Sequence, residues 1–404
     1  MGFQQGLSGL NAASKSLEVI GNNVANANTV GFKESQAQFA DVYANSLAGA
    51  GASQIGIGVK VAQVAQQFTQ GNVTASNNPL DVAINGGGFF RMSNNGTVSY
   101  ARNGQFQLDK AGYIVNASGS HLTGYGVSAS GVLASGAPTD LNINTADLTP
   151  KITTKVSALL NLDSGSAIPV TTPFNMADPT TYNNSTAVSV YDSLGNAHTV
   201  QTFYVKTGAN TWKVYAANDG VPTTPANIGS LAFASDGSLI AGAPLTVPLV
   251  VSTGATTPFP VSIDYTGTSQ YGSSFSVNAL KQDGYTSGRL SGFSISANGT
   301  IVGRYTNGQS ATLGQVVLAN FTNPNGLQSL GNNLWTETAT SGPALVGTPN
   351  SGSLGVLQSS AVEDSNVDLT AELVNMITAQ RSYQANAQTI KTQDQVLQTL
   401  VNLR

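Results

Sequence analysis

Two histidines and a few carboxylates are the residues of this 404-residue chain that could support acid–base or metal chemistry. His121 and His198 lie in segments with strand and turn character, and neither has neighbours at metal-ligand spacing. Glu363 and Asp364 are adjacent in sequence, whereas glycoside hydrolysis needs two carboxylates that face each other across a cleft. We therefore predict no catalytic residue and no metal site.

The glycine-rich stretch INGGGFF, residues 84–90, has a composition that can cradle a phosphate group. A phosphate loop must lead into a helix N-terminus and carries a Lys followed by Ser or Thr, and neither feature follows here. The chain also lacks cysteine, which excludes disulfides, thiolate metal sites and cysteine nucleophiles. We expect a tight turn before the Phe pair, no cofactor, and a protein that is not an enzyme.

The composition excludes several classes of partner. Charged residues make up 9% of the chain and the net charge is −4, so the basic footprint of a nucleic-acid-binding protein is missing. No apolar run approaches the ~18 residues of a membrane span. The N-terminus lacks the basic start and unbroken apolar core of a secretory signal peptide. We expect no nucleic acid, no membrane insertion, and either a cytoplasmic location or export with an intact N-terminus.

Apolar residues at both ends of the chain recur at alternating spacings of four and three, which predicts a coiled-coil stripe on each of two helices. Gly and Pro are absent from Ser365 to Arg404, and Ser365 and Asp368 predict a capping box ahead of a long helix. The N-terminal stripe comprises Phe3, Leu7, Leu10, Leu17 and Val24. The C-terminal stripe comprises Leu369, Leu373, Met376, Tyr383, Ala387, Ile390, Leu397 and Val401. We expect the two stripes to pack against each other.

The polar faces of both predicted helices are rich in amides rather than charges. Asn22, Asn23 and Asn26 lie within the first helix, although Asn disfavours helices because its side chain competes for backbone hydrogen bonds. The second helix carries an amide ladder formed by Gln380, Gln384 and Gln388. Ordinary solvated faces favour Glu and Lys. Amides donate and accept at once, so we predict a homopolymer in which these three asparagines and both stripes take part in self-assembly.

The central part of the chain has the pattern of a β protein. Asn-Gly pairs, which favour type I′ hairpin turns, begin at residues 85, 95, 103, 298, 307 and 325. Residues 187–218 predict a three-stranded meander with loops at Ser193–Asn196 and Thr207–Asn210. The small-residue-rich segment 45–61 predicts an extended connection after the first helix.

These patterns predict an α+β multidomain protein, with terminal helices that form a coiled coil and two nested mainly-β domains of barrel-like or sandwich-like type. Because both ends are helical, one β domain is built from two flanking segments and the other is inserted in its loop. The predicted parts are a helical domain of residues 1–30 and 363–404, extended linkers of 31–77 and 355–362, an inner β domain of 78–145 and 285–354, and an inserted outer β domain of 146–284.

Several stretches resemble a known family. SGLNAASKSLEVIGNNVANANTVGFKES, residues 8–35, resembles the N-terminal signature of the bacterial flagellar rod and hook proteins, and residues 365–404 resemble their C-terminal signature. LDVAINGGGFF, residues 80–90, is similar to their shared β core. YDSLGNAHTVQTFYVK (191–206) and LGQVVLANFTNPNGLQSLGNNLW (313–335) narrow the resemblance to the hook branch of that family.

The resemblance implies a structural subunit of a helical tube, with the terminal helices lining a central channel and the β domains facing outward. The hook branch implies a flexible universal joint that transmits torque from rod to filament. It also implies partners: further copies of the chain, the distal rod, the hook cap, the hook–filament junction proteins and the flagellar type III export apparatus. The implied location is the flagellum outside the cell, reached without a cleaved signal peptide. Either the glutamine ladder or the first helix could line the channel.

Two alternatives stay open at this point. A distal rod protein of the flagellar basal body shares the terminal signatures, but rod subunits resemble only the inner parts of this chain. A β-rich cell-surface adhesin or glycan-active enzyme would also contain many Asn-Gly turns. Such proteins need a signal peptide and have no use for apolar helical stripes at both ends, so microscopy of tubes against globular particles distinguishes the classes.

Overall fold

The computed structural model describes residues 2–42, 56–128, 131–134 and 136–402 of the chain. Helix α1 (Gly2–Ala25) and helix α2 (Leu369–Asn402) lie at the two ends, with β structure between them. Most of the predicted extended connection, residues 45–61, lies outside the described residues. This arrangement, together with the fold comparison given below, confirms the predicted α+β multidomain class.

The strands are short and follow one another closely along the chain. The first ten are β1 (Ser35–Val42), β2 (Gly58–Gln66), β3 (Val73–Ala75), β4 (Val82–Asn85), β5 (Phe89–Asn94), β6 (Thr97–Ala101), β7 (Gln107–Leu108), β8 (Ile114–Val115), β9 (His121–Tyr125) and β10 (Thr139–Asp140). The next ten are β11 (Lys155–Asp163), β12 (Asn184–Tyr191), β13 (Ala197–Gly208), β14 (Thr211–Asn218), β15 (Val221–Phe233), β16 (Leu239–Ala241), β17 (Leu245–Leu249), β18 (Phe259–Asp264), β19 (Ser269–Tyr271) and β20 (Ser276–Gln282). The last are β21 (Leu290–Ile295), β22 (Thr300–Tyr305), β23 (Ser310–Val316), β24 (Leu318–Asn320), β25 (Gln328–Gly331), β26 (Leu334–Thr336), β27 (Leu345–Gly347), β28 (Val356–Ser359) and β29 (Ala361–Glu363).

The chain folds into two compact units. Unit 1 comprises Met1–Asn144, Gly292–Gly303 and Ser310–Arg404, and unit 2 comprises Thr145–Ser291 and Arg304–Gln309. Unit 1 therefore contains the terminal helices, the segments next to them and the inner β strands, which the sequence predicts as separate parts. Residues 285–291 and 304–309, predicted as inner domain, belong to unit 2.

The largest sheet of unit 1 contains the strand order β23-β9-β5-β6-β26-β25. The turn between β5 and β6 shows how an Asn-Gly pair sets local structure. Asn95 and Gly96 have φ values of 50° and 87°, and both central residues of a type I′ turn need positive φ. Phe89 and Trp335 pack edge to face with ring centroids 5.7 Å apart. The sheet thus has an aromatic core beside its hairpins.

Both predicted linkers contain strands that pair with other strands of unit 1. β1 pairs with β2 in antiparallel register from Ser35↔Gln66 to Val42↔Gly58. β28 pairs with β4, and β29 pairs with β3. Pairing satisfies backbone N–H and C=O groups that an isolated segment would leave to water. The described parts of the predicted linkers 31–77 and 355–362 therefore contain paired strands of unit 1.

Unit 2 contains two five-stranded sheets whose apolar side chains form one core. One sheet has the order β12-β13-β14-β15-β16, and the other has β17-β18-β11-β19 with β20 on β11. The predicted meander over residues 187–218 is confirmed, because β12, β13 and β14 pair antiparallel in sequence. Trp212 and Tyr204 from the first sheet are buried together with Leu160 from the second sheet and with Tyr265, which directly follows β18.

Helix α2 begins three residues later than the predicted capping box requires. The Asp368 carboxylate accepts hydrogen bonds from the backbone N–H groups of Thr370 (2.9 Å) and Ala371 (3.1 Å), so Asp368 is the N-cap. Ser365 Oγ accepts only from Val367 N, at 3.3 Å. An ionised side chain that reaches two unpaired N–H groups is the stronger cap, and it also complements the helix dipole.

Candidate assembly surface

The terminal helices pack against each other in antiparallel orientation, since Gly6 lies beside Ile390 and Gly9 beside Asn386. A Cβ atom at Gly6 would lie 3.0 Å from Ile390 Cγ1, and one at Gly9 would lie 2.7 Å from Asn386 Oδ1. The two glycines thus permit a close approach that a larger residue would prevent. On α1, glycines rather than large apolar residues form the first part of this helix contact.

The face of α1 turned toward α2 is not the predicted N-terminal stripe. Phe3 and Leu7 are 47% and 44% exposed, while Ala13 and Ile20 are buried. Leu10, Leu17 and Val24 are only partly buried. Glycine and alanine let the helix axes come closer than leucine does, so the packed face is rotated toward the small residues.

Helix α2 likewise keeps only part of its predicted stripe on the packed face. Met376 and Ile390 are partly buried, but Leu373 and Leu397 are exposed, so within the subunit these two residues do not pack on the N-terminal stripe as predicted. The other exposed large apolar residues of α2 are Leu369, Val374, Ile377, Tyr383, Val396, Leu400 and Val401. We call these residues, with Leu373, Leu397, Phe3 and Leu7, the exposed apolar surface.

The asparagines of α1 serve the subunit in different ways. Asn23 is 1% exposed; its Nδ2 donates to Ser35 O (2.8 Å) and its Oδ1 accepts from Ser35 N (3.0 Å). Asn23 therefore holds β1 against the end of α1, which corrects its predicted exposure to other copies. Asn26 Nδ2 donates to Asn22 O (2.9 Å) in the last turn, and Asn22 is exposed.

Three buried charged residues join the helical ends to the β strands. Glu363 Oε1 lies 2.7 Å from Lys33 Nζ, and its Oε2 lies 2.5 Å from Arg102 Nε. All three side chains are almost fully buried. Burial lowers the pKa of Lys33, and the ion pair with Glu363 opposes that effect. The carboxylate at the end of β29 thus neutralises cations that follow α1 and β6.

Backbone groups complete this junction. Lys33 Nζ also donates to Thr69 O (2.6 Å), and Gly71 N donates to Glu363 Oε1 (2.9 Å). Arg102 donates to the carbonyl oxygens of Gly86 (2.6 Å) and Gly88. The glycine-rich stretch therefore presents carbonyls to a cation, the opposite of a phosphate loop. Sequence reasoning noticed Glu363 but missed its role, because Lys33 is 330 residues away.

Both histidines have partners within the fold. His121 Nδ1 lies 2.8 Å from Asp140 Oδ2, and its ring stacks on Tyr113. His198 lies between Asp219 Oδ2 (2.7 Å from Nδ1) and Asp192 Oδ2 (3.3 Å from Nε2). Burial alone lowers the pKa of His198, but the two carboxylates outweigh it and raise the pKa.

The surroundings of Asp192 fit a structural role in unit 2. Burial alone raises the pKa of Asp192, but hydrogen bonds from Thr253 and Asn196 outweigh it and lower the pKa. The described residues contain no group of three or more side chains that could hold a metal ion. Nor does any described helix have the length and apolar character needed to cross a membrane.

Comparison with known families finds flagellar descriptions along the chain. They are "Flagella basal body rod protein" at residues 3–33, "Flagellar hook protein FlgE/F/G D1 domain" at 83–157, "Flagellar basal body protein FlaE D2 domain" at 161–285 and "Flagellar basal body rod FlgEFG protein C-terminal" at 358–403. The two terminal matches coincide with the segments that contain α1 and α2.

Curated relatives match over the full length. Flagellar hook protein FlgE of Escherichia coli (strain K12) is 45% identical over 412 residues, covering 100% of both chains. The protein of the same name from Salmonella typhimurium is 46% identical over 411 residues, also covering 100% of both. That of Borreliella burgdorferi is 31% identical over 449 residues, covering 99% of this chain and 98% of the relative.

A solved structure has a related fold. The crystal structure of Helicobacter pylori flagellar hook protein FlgE2 superposes with a TM-score of 0.54 and 15% identity, and covers 72% of this chain and 100% of that chain. At this identity the likeness concerns the fold alone. The full-length relatives at 45% and 46% identity carry the assignment, and the chain belongs to the flagellar hook protein family.

Proposed function

We propose that this chain is the structural subunit of a flagellar hook and assembles with copies of itself into a helical tube. The observation that carries this proposal is the exposed apolar surface on helices at both chain ends. A concentration of exposed large apolar side chains on two helices is a mark of an interaction site. Full-length relatives named as hook proteins support the same conclusion.

The energetics favour assembly through the helices. Burying a Leu or Val side chain stabilises by about 1.5–3 kcal/mol, and the exposed apolar surface offers many such side chains in every copy. A helix of 34 residues with little buried surface of its own gains most of its stability from packing. In a tube the same contacts recur at each added subunit, so a modest gain per side chain becomes decisive.

The remaining features of the proposal concern the tube itself. The helices line a central channel, the β domains face outward, and the tube transmits torque while it bends. The exposed amides Gln380, Gln384 and Gln388 offer one polar face to such a channel. Partners are the distal rod, the hook cap, the hook–filament junction proteins and the flagellar type III export apparatus, with the assembled protein outside the cell. The subunit acts as a structural protein and not as an enzyme.

The other two candidate functions have weaker support. A distal rod subunit shares the terminal family matches, but the full-length relatives are named hook proteins and their matches include unit 2. An adhesin or glycan-active enzyme would not need apolar helix surfaces at both chain ends. We therefore retain the hook subunit as the proposed function.

Electron microscopy of the purified full-length chain tests this proposal. The protein is concentrated in ammonium sulfate, which strengthens apolar burial, and is imaged by negative staining beside a sedimentation assay. We expect tubes that pellet. In a bacterium that lacks its own hook protein, expression of this chain should restore curved extracellular tubes. Globular particles in vitro and no tubes on the cells would overturn the proposal.

A further inference from the structure

A groove of about 550 Å³ lies between α1, α2 and β1 in unit 1. Its walls are formed by residues 9–23 of α1, 34–39 of β1 and its approach, and 372–382 of α2. The α2 wall spans ten residue steps, which correspond to roughly 15 Å along the helix axis. The groove is therefore long enough to receive about two turns of another helix.

The two ends of the groove differ in polarity. Because the helices are antiparallel, Glu372 of α2 lies at the same end as Asn23 of α1, and Glu34 lies there as well. At the other end, five residues further along the strand, the exposed Phe39 ring and Val59 line the wall. One end is thus acidic and the other apolar.

The acidic end contains a carboxylate without a counter charge. Glu372 is 5% exposed, its Oε1 is 3.5 Å from Asn375 Nδ2, and its Oε2 has no hydrogen-bond partner among the described residues. Glu34 gives that oxygen a partner only if the two carboxyl groups share a proton. Burial, and then the charge of Glu372, raises the pKa of Glu34. Glu372 is buried and Glu34 is partly buried, and such a carboxylate pair favours a cation because burying negative charge without one is costly.

The outward face of α2 has the complementary pattern. Val374, Ile377 and Arg381 are exposed and are spaced three and four residues apart, so they share one face of the helix. Arg381 has no ion-pair partner in the described part of the chain. Val374 and Ile377 lie roughly 10 and 6 Å from Arg381 along the axis, within the length of the groove.

The occupant has to be another molecule, because α2 itself forms one wall of the groove and cannot turn its outward face into it. We propose that the groove receives the Val374–Ile377–Arg381 face of a second copy, whose Arg381 guanidinium pairs with Glu34 and Glu372. A planar guanidinium can bind two carboxylates through parallel hydrogen bonds. Val374 and Ile377 of that copy pack toward Phe39. The inference rests on the proposed function, since it specifies one contact between assembled copies.

This contact has the symmetry that a tube needs. The groove and the outward face are different surfaces of one subunit, so each copy offers one of each. Such a head-to-tail interface relates each copy to the next by a fixed rotation and translation. When repeating this operation does not bring the last copy back onto the first, the copies form a helix instead of a closed ring. A symmetric dimer contact would stop after two copies.

Charge exchange between the two surfaces tests the inference. R381E and E34R each place like charges at the contact, and we expect each to raise the critical concentration for assembly by about tenfold or more. A mixture of R381E and E34R subunits should assemble. The unchanged acidic groove of R381E then receives the unchanged Arg381 of E34R, and the altered groove of E34R receives the acidic face of R381E. Only a contact between copies gives recovery on mixing. K391E, which changes an exposed cation of α2 outside this face, is the matched control and should assemble like the parent chain.

The outcomes separate this inference from the proposed function. Circular dichroism first establishes that each variant is folded. If E34R is unfolded, E34Q takes its place, because Glu34 is partly exposed and the smaller change disturbs the fold less. E34Q should raise the critical concentration less than E34R. Normal assembly of R381E and of the Glu34 variant, with a parent chain that forms tubes, overturns the inference alone. Loss of assembly without recovery on mixing R381E with E34R also overturns it. A parent chain that forms no tubes overturns both.

Discussion

Trp212 and Leu160 of unit 2 are fully buried, whereas Leu397 and Val401 of α2 in unit 1 are 54% and 74% exposed. Unit 2 closes its two sheets over one apolar core within a single chain. The terminal helices bury small residues and a few large apolar ones against the subunit, but leave many other large apolar side chains in solvent. The comparison indicates that unit 2 is complete as a monomer, and that the helices become complete only with other copies.

The largest expected effect comes from Leu397→Asp, which should abolish assembly and leave the subunit folded. Leu397 is exposed in the subunit, so the free energy of unfolding changes little, but an interface would have to bury an unpaired charge. Sedimentation and circular dichroism measure the two quantities.

The matched control for Leu397→Asp is Val170→Asp in unit 2, where the apolar side chain is 95% exposed. This variant should assemble normally. If Leu397→Asp formed tubes at the same concentration as the parent chain, the exposed apolar surface would not be an interface. The inference that the helices become complete only with other copies would then be contradicted.

Trp212→Ala tests the other side of the comparison. Trp212 is buried, and its Nε1 donates to Gln270 Oε1 at 2.7 Å. Truncation should lower the free energy of unfolding of unit 2 by about 3–5 kcal/mol. Calorimetry should show an earlier transition for unit 2 with the helical circular dichroism retained. Val250→Ala, at an exposed position of the same unit, is the control and should change the free energy of unfolding little. If Trp212→Ala lost the helical signal in the same transition, the two regions would not be independent.

Glu363→Gln tests the buried ion pairs that Glu363 forms in unit 1. The change leaves Lys33 and Arg102 buried without their anion, and removing one partner of a buried ion pair costs about 3–5 kcal/mol. Urea unfolding of the full chain measures the loss. Asp364→Asn, at the neighbouring partly exposed carboxylate, is the control and should stay within about 0.5 kcal/mol of the parent. Equal effects at both positions would contradict the role of the junction.

The smallest expected effect is a pH dependence of unit 2. The folded pKa of His198 is raised, so its charged form stabilises unit 2 fully below the unfolded pKa of about 6.5. That contribution is lost as pH rises through the folded pKa. The urea midpoint of unit 2 should therefore fall as pH rises from about 6.5 through the raised folded pKa of His198, and His198→Gln should remove the dependence. A midpoint that falls equally in the variant would assign it to other groups.

Local sequence patterns determined much of this architecture by themselves. The apolar spacing and the absence of Gly and Pro predicted α2, and alternating apolar residues with short loops predicted the meander of β12, β13 and β14. The Asn95–Gly96 turn follows from the positive φ values that these residues tolerate. Each of these features depends on interactions between residues close in the chain, which is why a single sequence suffices.

Which surfaces meet depends on packing between segments that are far apart in the chain. The stripe of Phe3 and Leu7 and the face with Gly6 and Gly9 are both plausible on a helical wheel, and packing selected the glycine face because the helix axes approach more closely there. Glu363 finds Lys33 across 330 residues of chain, and β1 turns back on β2. Such contacts depend on shape and burial between distant segments, and no local pattern in the sequence carries that information.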